Sequence, residues 1–333
     1  MGAKKRMKME KLAKTASKID SFLSSKLSGE PKDLYQAASY LIDHGGKRLR
    51  PYMVIKSCQL LGGTPKQAIP AAAAVEMVHN FTLVHDDIMD NDEVRHGVPT
   101  VHVRFGMPIG ILAGDLLFSR AFETISKPYI HKSGNVGLNL VTTLAKACTD
   151  VCEGQALDIS MAKSSKIPSE DQYIKMIEKK TSSLFVASCA MGAIAANKDF
   201  ADVTRLSTFG RNLGIAFQII DDLIGVTGDP KITKKPVGND IREGKKSLPI
   251  LMAIKKANSQ EKKIILNAFG NPSVSKSEVE RAISTISALG IGNAIKQKAT
   301  YHSNAAMKSI SIYDGPAKNE LLSLLDFVVE RSL

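Results

Sequence analysis

Two acidic runs stand out in a basic chain. Asp86-Asp87-Ile88-Met89-Asp90-Asn91-Asp92-Glu93 places five carboxylates in eight residues, and Asp221-Asp222 follows the mostly apolar Phe217-Gln218-Ile219-Ile220. The sequence carries 45 Lys+Arg against 33 Asp+Glu, a formal charge of +12. On a helix Asp86 and Asp90 are four apart and share a face, where like charges repel by about 0.2–0.5 kcal/mol per pair. A hard divalent cation with oxygen ligands turns that cost into affinity. Basic residues also cluster, in Gly45-Gly46-Lys47-Arg48-Leu49-Arg50-Pro51, at Arg95-His96, at Lys179-Lys180 and across Lys231 to Lys246. Lys and Arg hold phosphate oxygens directly, whereas carboxylates reach a diphosphate only through a bridging metal. Both kinds of cluster together predict a magnesium–diphosphate ligand.

These groups need rigid elements to hold them. Apolar residues make 44% of the chain and aromatics 5%, with no Trp, and Ala, Ile, Leu and Met dominate; this composition favours helices over strands. Helical periodicity runs between short breaks such as Gly62-Gly63-Thr64-Pro65, Gly97-Val98-Pro99 and Pro236 to Gly238. It predicts helices over 31–43, 51–61, 65–91, 109–126, 136–161, 169–195, 202–226 and 247–257, with three more segments between Gln260 and Ser332. Each acidic pair then ends a long apolar helix. The expected class is all-α, a single domain over 1–333 with a basic arm at about 1–20.

Other readings are weaker. Seven Lys/Arg and two acids occupy the first twenty residues, but no aromatic interleaves them and no nucleic-acid motif follows, so a solvated helix face is expected rather than a nucleic-acid site. At most this arm touches a membrane surface. The four cysteines, Cys58, Cys148, Cys152 and Cys189, are too few for a disulfide framework, and with no signal peptide they fit a reducing cytoplasm; packing is their expected role. The uncharged stretch Thr181 to Asn197 is too short and too polar to span a membrane. Arg6 occupies the place where N-myristoylation wants Ser or Thr.

The ordered set Gly-Gly-Lys-Arg-Leu-Arg-Pro, Asp86-Asp87-x-x-Asp90, Glu153-Gly154-Gln155-x-x-Asp158, Lys180-Thr181 and Gln218-x-x-Asp221-Asp222 resembles the trans-isoprenyl diphosphate synthases, over about Leu41 to Pro249. It is most similar to archaeal short-chain geranylgeranyl diphosphate synthases. The resemblance implies an all-helical bundle of the isoprenoid synthase type around a central cavity, acting as a homodimer. Such enzymes join isopentenyl diphosphate head to tail to an allylic diphosphate. By resemblance, Asp86 and Asp90 bind two Mg²⁺ and Asp221 a third, with Asp87 and Asp222 in support. The metals neutralise the leaving diphosphate, which makes this electrostatic catalysis more than side-chain acid–base work. Matching positions assign Arg95, Lys180, Lys235 and Lys245 to the allylic diphosphate, and Thr181 and Gln218 to the neighbourhood of the cation. They assign Gly46, Lys47, Arg50 and His79 to isopentenyl diphosphate.

The sequence departs from the family pattern twice. His96 stands where a second arginine, an isopentenyl diphosphate ligand, is expected, and a neutral imidazole holds phosphate less well than guanidinium. Gly225 takes the place of the last acid in the second Asp-Asp-x-x-Asp. Phe81, five residues before Asp86, matches the position that limits product length in the family, and one aromatic there implies a C20 product, with C15 and C25 as alternatives. A helical wheel turns Phe81 about 140° from Asp86, so spacing alone does not put it in the pocket. A non-catalytic subunit of a heteromeric synthase is the main rival; a terpene cyclase would not need Lys47 and Arg50.

Overall fold

The computed structural model describes residues 3–129, 134–227, 238–271 and 273–330. Among them the architecture is all-α apart from one two-stranded hairpin. The chain forms two compact units, each entered more than once. The first comprises Met1–Cys148, Leu184–Ser207 and Ile312–Leu321, and the second Thr149–Ser183, Thr208–Ser311 and Leu322–Leu333.

In the first unit, α1 (Ala3–Lys26), α2 (Lys32–Asp43) and α3 (Leu49–Leu60) lead to α4 (Pro65–Met89). A capping box between Thr64 and Gln67, with Pro65 in the first turn, starts α4; a cap of this kind contributes about 1 kcal/mol. Its alanines Ala68, Ala71, Ala72, Ala73 and Ala74 are fully buried. Small side chains all round let α3 and α6 (Met107–Ser126) lie close against it, and a helix apolar on every side belongs in a core.

Between α4 and α6 come β1 (Val94–Arg95), β2 (Val98–Pro99) and the short α5 (Val101–Phe105). Arg95 pairs with Val98 across a two-residue turn. His96 at φ 54° and Gly97 at φ 83° form that turn, and positive φ at both central residues is what a type I′ hairpin requires. The helical periodicity gave no sign of this hairpin.

The second unit takes the C-terminal half of α7 (Val136–Lys163), α8 (Glu170–Ile177) and much of α10 (Phe200–Thr227). The expected single helix over 169–195 is instead α8, a π-helical turn at Glu178–Ser182, and α9 (Ser183–Ala195), whose residues after Ser183 belong to the first unit. Among the described residues from Ser259 onward, four helices replace the expected three. Ser259–Ala268 and Lys276–Ala288 begin at capping boxes on Asn258 and Ser275, and Gly290, in the left-handed region at φ 69°, splits Lys276–Ala288 from Ile291–Ser309. Pro316–Glu330 is the last. Cys58, Cys148 and Cys189 are buried and in no disulfide, whereas Cys152 is exposed and packs in no core.

Candidate active site

Asp86, Asp87 and Asp90 occupy the last turn of α4 and its cap, and neighbours in sequence have different fates. Asp92 N–H donates to Asp87 O at 2.9 Å and Asn91 N–H to Ile88 O at 3.4 Å, with Asn91 left-handed at φ 53°. This is a Schellman closure with Asn in the glycine position. Its consequence is electrostatic: carboxylates gather at the negative end of a helix dipole, where cations are favoured. Asp87 is fully buried. Arg95 Nε and Nη2 both lie 2.5 Å from its Oδ1, while Oδ2 has no hydrogen-bond partner among the described residues. Burial pushes the Asp87 carboxyl up and Arg95 opposes that shift. Asp86 is half-buried and Asp90 exposed, so the pair four residues apart is the one turned outward. Arg95, assigned above to a diphosphate, is the anchor of Asp87.

The Gly-Gly-Lys-Arg-Leu-Arg-Pro segment separates its two arginines in the same way. Arg48 is buried and left-handed at φ 49°. It donates to Asp20 Oδ1 at 2.7 Å, Gly45 O at 2.7 Å, Ile42 O at 2.5 Å and Glu76 Oε1 at 3.1 Å. These bonds offset a backbone cost of roughly 1–2 kcal/mol for a non-glycine residue there. A Cβ on Gly46 would meet Arg48 Nη1 at 2.3 Å, so glycine keeps the space for that guanidinium. Arg48 escaped the sequence reading because a buried, fully bonded arginine carries no signature that separates it from Arg50. Arg50 stacks 4.6 Å above the Phe185 ring, and its Nη1 donates to His79 Nε2 at 3.2 Å. Burial holds Arg50 down at about 10. His79 is held well below its ordinary value, first by burial and then by Arg50, Arg95, Arg48 and His96. Its imidazole is neutral at pH 7, and with Nε2 accepting from Arg50 the proton sits on Nδ1. Burial and then Arg95 and Arg48 also lower His96, which favours the neutral imidazole. Lys47 is exposed.

In the second unit, Gly154 explains the glycine of the Glu-Gly-Gln motif. A Cβ there would lie 2.1 Å from Lys180 N and 2.5 Å from Lys180 Cα, so α7 and the π-helical turn touch backbone to backbone. Gly214 does the same on α10 against Ser182, at 2.7 Å. Such π turns recur at functional sites, and this one carries Lys179, Lys180 and Thr181. Lys180 Nζ donates to Asp158 Oδ2 at 2.5 Å, whereas Lys179 turns to Asp150 and Glu153. Thr181 Oγ1 donates to Gln218 Oε1 at 2.9 Å, and Gln218 Nε2 donates to Asp222 Oδ1 at 2.8 Å. Asp222 is buried, while Asp221 is half-buried.

Lys245 Nζ lies 3.4 Å from Asp222 and 3.6 Å from Asp240; Asp222, then Asp240, hold it well above an ordinary lysine. Its neighbour Lys246 caps the carbonyls of Met161, Ser164 and Lys166 at the end of α7, which suits the helix dipole. Lys235 lies outside the described residues. The position of the missing acid is occupied in another way: a Cβ on Gly225 would fall 2.4 Å from Asp240 Oδ2. Restoring the family acid with Gly225→Asp is therefore expected to lower thermal stability, by about 1–3 kcal/mol for an overpacked site, with no tighter Mg²⁺ binding. A stable variant that binds Mg²⁺ more tightly would show that Asp240 yields.

The donor chemistry fits magnesium. Asp86, Asp90 and Asp221 offer carboxylate oxygens, the ligands a hard cation takes. Among the described residues no three His, Cys, Asp or Glu side chains form a ready metal cage; Mg²⁺ characteristically takes one or two carboxylates, keeps waters and binds substrate phosphates. Asp86 and Asp90 belong to the first unit, Asp221 to the second.

The family model for polyprenyl synthetase matches residues 31–286. The chain is 39% identical to a geranylgeranyl diphosphate synthase of Sulfolobus acidocaldarius over 94% of its length and 95% of the relative's. It is also 39% identical to a geranylfarnesyl diphosphate synthase of Aeropyrum pernix, over 94% and 99%. The crystal structure of a geranylgeranyl pyrophosphate synthetase from Pyrococcus horikoshii superposes with a TM-score of 0.91 at 37% identity, covering 98% of this chain and 99% of that one.

Proposed function

The chain belongs to the polyprenyl synthetase family and is a trans-prenyltransferase of isoprenoid biosynthesis; we propose that it condenses isopentenyl diphosphate with an allylic diphosphate to give C20 geranylgeranyl diphosphate. The observation that carries the prenyltransfer reading is identity along nearly the whole chain to a geranylgeranyl diphosphate synthase. The equal identity to a geranylfarnesyl synthase makes overall similarity blind to length, so the C20 choice rests on Phe81. In this reading residues 1–333 act as one cytoplasmic synthase domain; among the described residues no helix is long and apolar enough to cross a membrane. A homodimer is supported by the exposed apolar residues Val103, Met107, Ile111 and Leu112 on α5 and α6.

Asp86 and Asp90 would hold two Mg²⁺ and Asp221 a third. Bound there, Mg²⁺ would neutralise the charge of the departing diphosphate. Lys180 and Lys245 present ammonium donors for its remaining oxygens, with Lys235 and Arg95 assigned to the same group. Asp158 and Asp222 orient those ammonium groups, since each lysine rests on its carboxylate. Arg50 and Lys47 would take the isopentenyl diphosphate, Arg50 with a guanidinium suited to bidentate phosphate binding. His79, neutral and protonated on Nδ1, would add a donor without adding charge. His96 would contribute as a neutral imidazole.

Purified protein incubated with Mg²⁺, isopentenyl diphosphate and farnesyl diphosphate is expected to form a C20 diphosphate. A product ending at C25 would move the length assignment. No product from the lone chain would favour a non-catalytic subunit, the reading that His96 and Gly225 motivate.

A further inference from the structure

Four side chains of the second unit form one hydrogen-bonded chain. Tyr173 Oη donates to Asp222 Oδ2 at 2.6 Å, Gln218 Nε2 donates to Asp222 Oδ1 at 2.8 Å, and Thr181 Oγ1 donates to Gln218 Oε1 at 2.9 Å. The directions follow from chemistry. A carboxylate only accepts, so it takes the NH₂ end of the Gln218 amide. The amide oxygen is left facing Thr181, and the threonine hydroxyl must donate to it. Tyr173 and Asp222 are each 1% exposed, and the Asp222 oxygen that takes the amide also faces Lys245 Nζ at 3.4 Å. The carboxylate is thus gripped from both sides and cannot turn to release the amide.

We propose that Tyr173 is a positioning residue: through Asp222 it fixes the Gln218 amide, which commits the Thr181 proton and leaves the Thr181 Oγ1 lone pairs for positive charge on the substrate. The proposal rests on the prenyltransfer reading, in which an allylic carbon becomes cationic. A hydroxyl free to rotate presents its proton as readily as its lone pairs; one whose proton is engaged presents negative density alone. Such preorganisation is what electrostatic catalysis requires; the Thr181–Gln218–Asp222 bonds run in one sense and polarise one another, while Tyr173, donating to the other oxygen of Asp222, holds that carboxylate in place. Burial, then Asp222, holds the Tyr173 phenol well above its ordinary value, so it remains a donor across the working range. Tyr173 lies seven residues before Lys180, two helical turns, a spacing the sequence displayed without marking its purpose.

Tyr173→Phe removes the donor and keeps the ring. The full-length variant is expected to lose about tenfold in kcat, the worth of one buried hydrogen bond, with KM for both diphosphates essentially unchanged. The distinguishing readout is a double-mutant cycle with Thr181→Val. If Tyr173 acts through Thr181, Tyr173→Phe has little further effect once the hydroxyl is gone. Equal losses in both backgrounds, a rise in KM with kcat unchanged, or no loss in the parent background would overturn the proposal. Should Tyr173→Phe fail to fold, the cycle between Gln218→Met and Thr181→Val replaces it: strong non-additivity supports the chain, and additive losses overturn it. A parent protein that makes no prenyl product overturns the underlying reading instead, so the two failures are distinguishable.

Discussion

Asp86→Ala is expected to lower kcat by about 10³-fold or more, roughly 4 kcal/mol of transition-state stabilisation, while the unfolding temperature stays close to that of the parent. Asp86 is half-buried at the negative end of α4, where its charge is a cost to the free helix. Removing it relieves repulsion with Asp90, and under the metal assignment the activity lost is that of Mg²⁺ binding. The Mg²⁺ concentration giving half-maximal rate should rise in the same variant. Asp87→Ala, one residue on, is expected to do the reverse in its first effect. Its carboxylate is fully buried and takes both Arg95 Nε and Nη2. Its loss strands a guanidinium that is itself 24% exposed, so the penalty is smaller than for a wholly buried pair, about 2 kcal/mol. At this chain length that lowers the unfolding temperature by roughly 4 °C. Calorimetry and steady-state kinetics on both variants separate the roles; an Asp86→Ala enzyme of parental activity would remove the metal assignment.

The contrast shows where the sequence stops being informative. The helices, the all-α class and the ordered acidic and basic motifs follow from periodicity and spacing, because amphipathic helices are local objects. What spacing leaves open is which of two like neighbours turns inward. Asp86 and Asp87, Arg48 and Arg50, and Lys245 and Lys246 are each the same residue type within two positions. In each case tertiary contacts give the two different partners: Asp87 meets Arg95 while Asp86 stays half-buried, Arg48 meets Glu76 and Asp20 while Arg50 meets His79, and Lys246 meets the carbonyls ending α7 while Lys245 meets Asp222 and Asp240. The π turn was equally hidden. Residues 169–195 read as one helix, and the extra residue at Lys180-Thr181 is explained only by Gly154 and Gly214, which bring other backbones against it. His96 had been read purely as a weakened ligand. Its left-handed φ in a two-residue turn supplies a second reason for the residue, since histidine enters that region more readily than most side chains.

Phe81→Ala is expected to lengthen the product beyond C20, the largest qualitative change a single substitution should bring. The helical wheel placed Phe81 away from the face of Asp86, but the structure shows what it meets instead. Its ring lies 5.2 Å from that of Phe118 on α6, Phe118 lies 5.0 Å from Phe122, and Phe81 also touches His85 at 4.8 Å. Phe81 is therefore the first of three aromatics in contact, tilted and edge-on to one another, rather than an isolated plug. Truncating it removes one layer and leaves Phe118 as the next barrier, so growth should continue by a limited number of five-carbon units. Phe81→Ala with Phe118→Ala should extend the chain further than either alone, because each ring blocks only after the one before it is gone. Phe118→Ala by itself should act weakly, by loosening the packing that holds Phe81 upright. The stability cost of each single change is about 2 kcal/mol, below that of a fully buried Phe because both rings are only partly buried. Mass spectrometry of the hydrolysed products reads the distribution directly. An unchanged C20 product from Phe81→Ala would show that the ring does not set the length, and would shift the search to the apolar residues of α4 and α6 nearer Asp86.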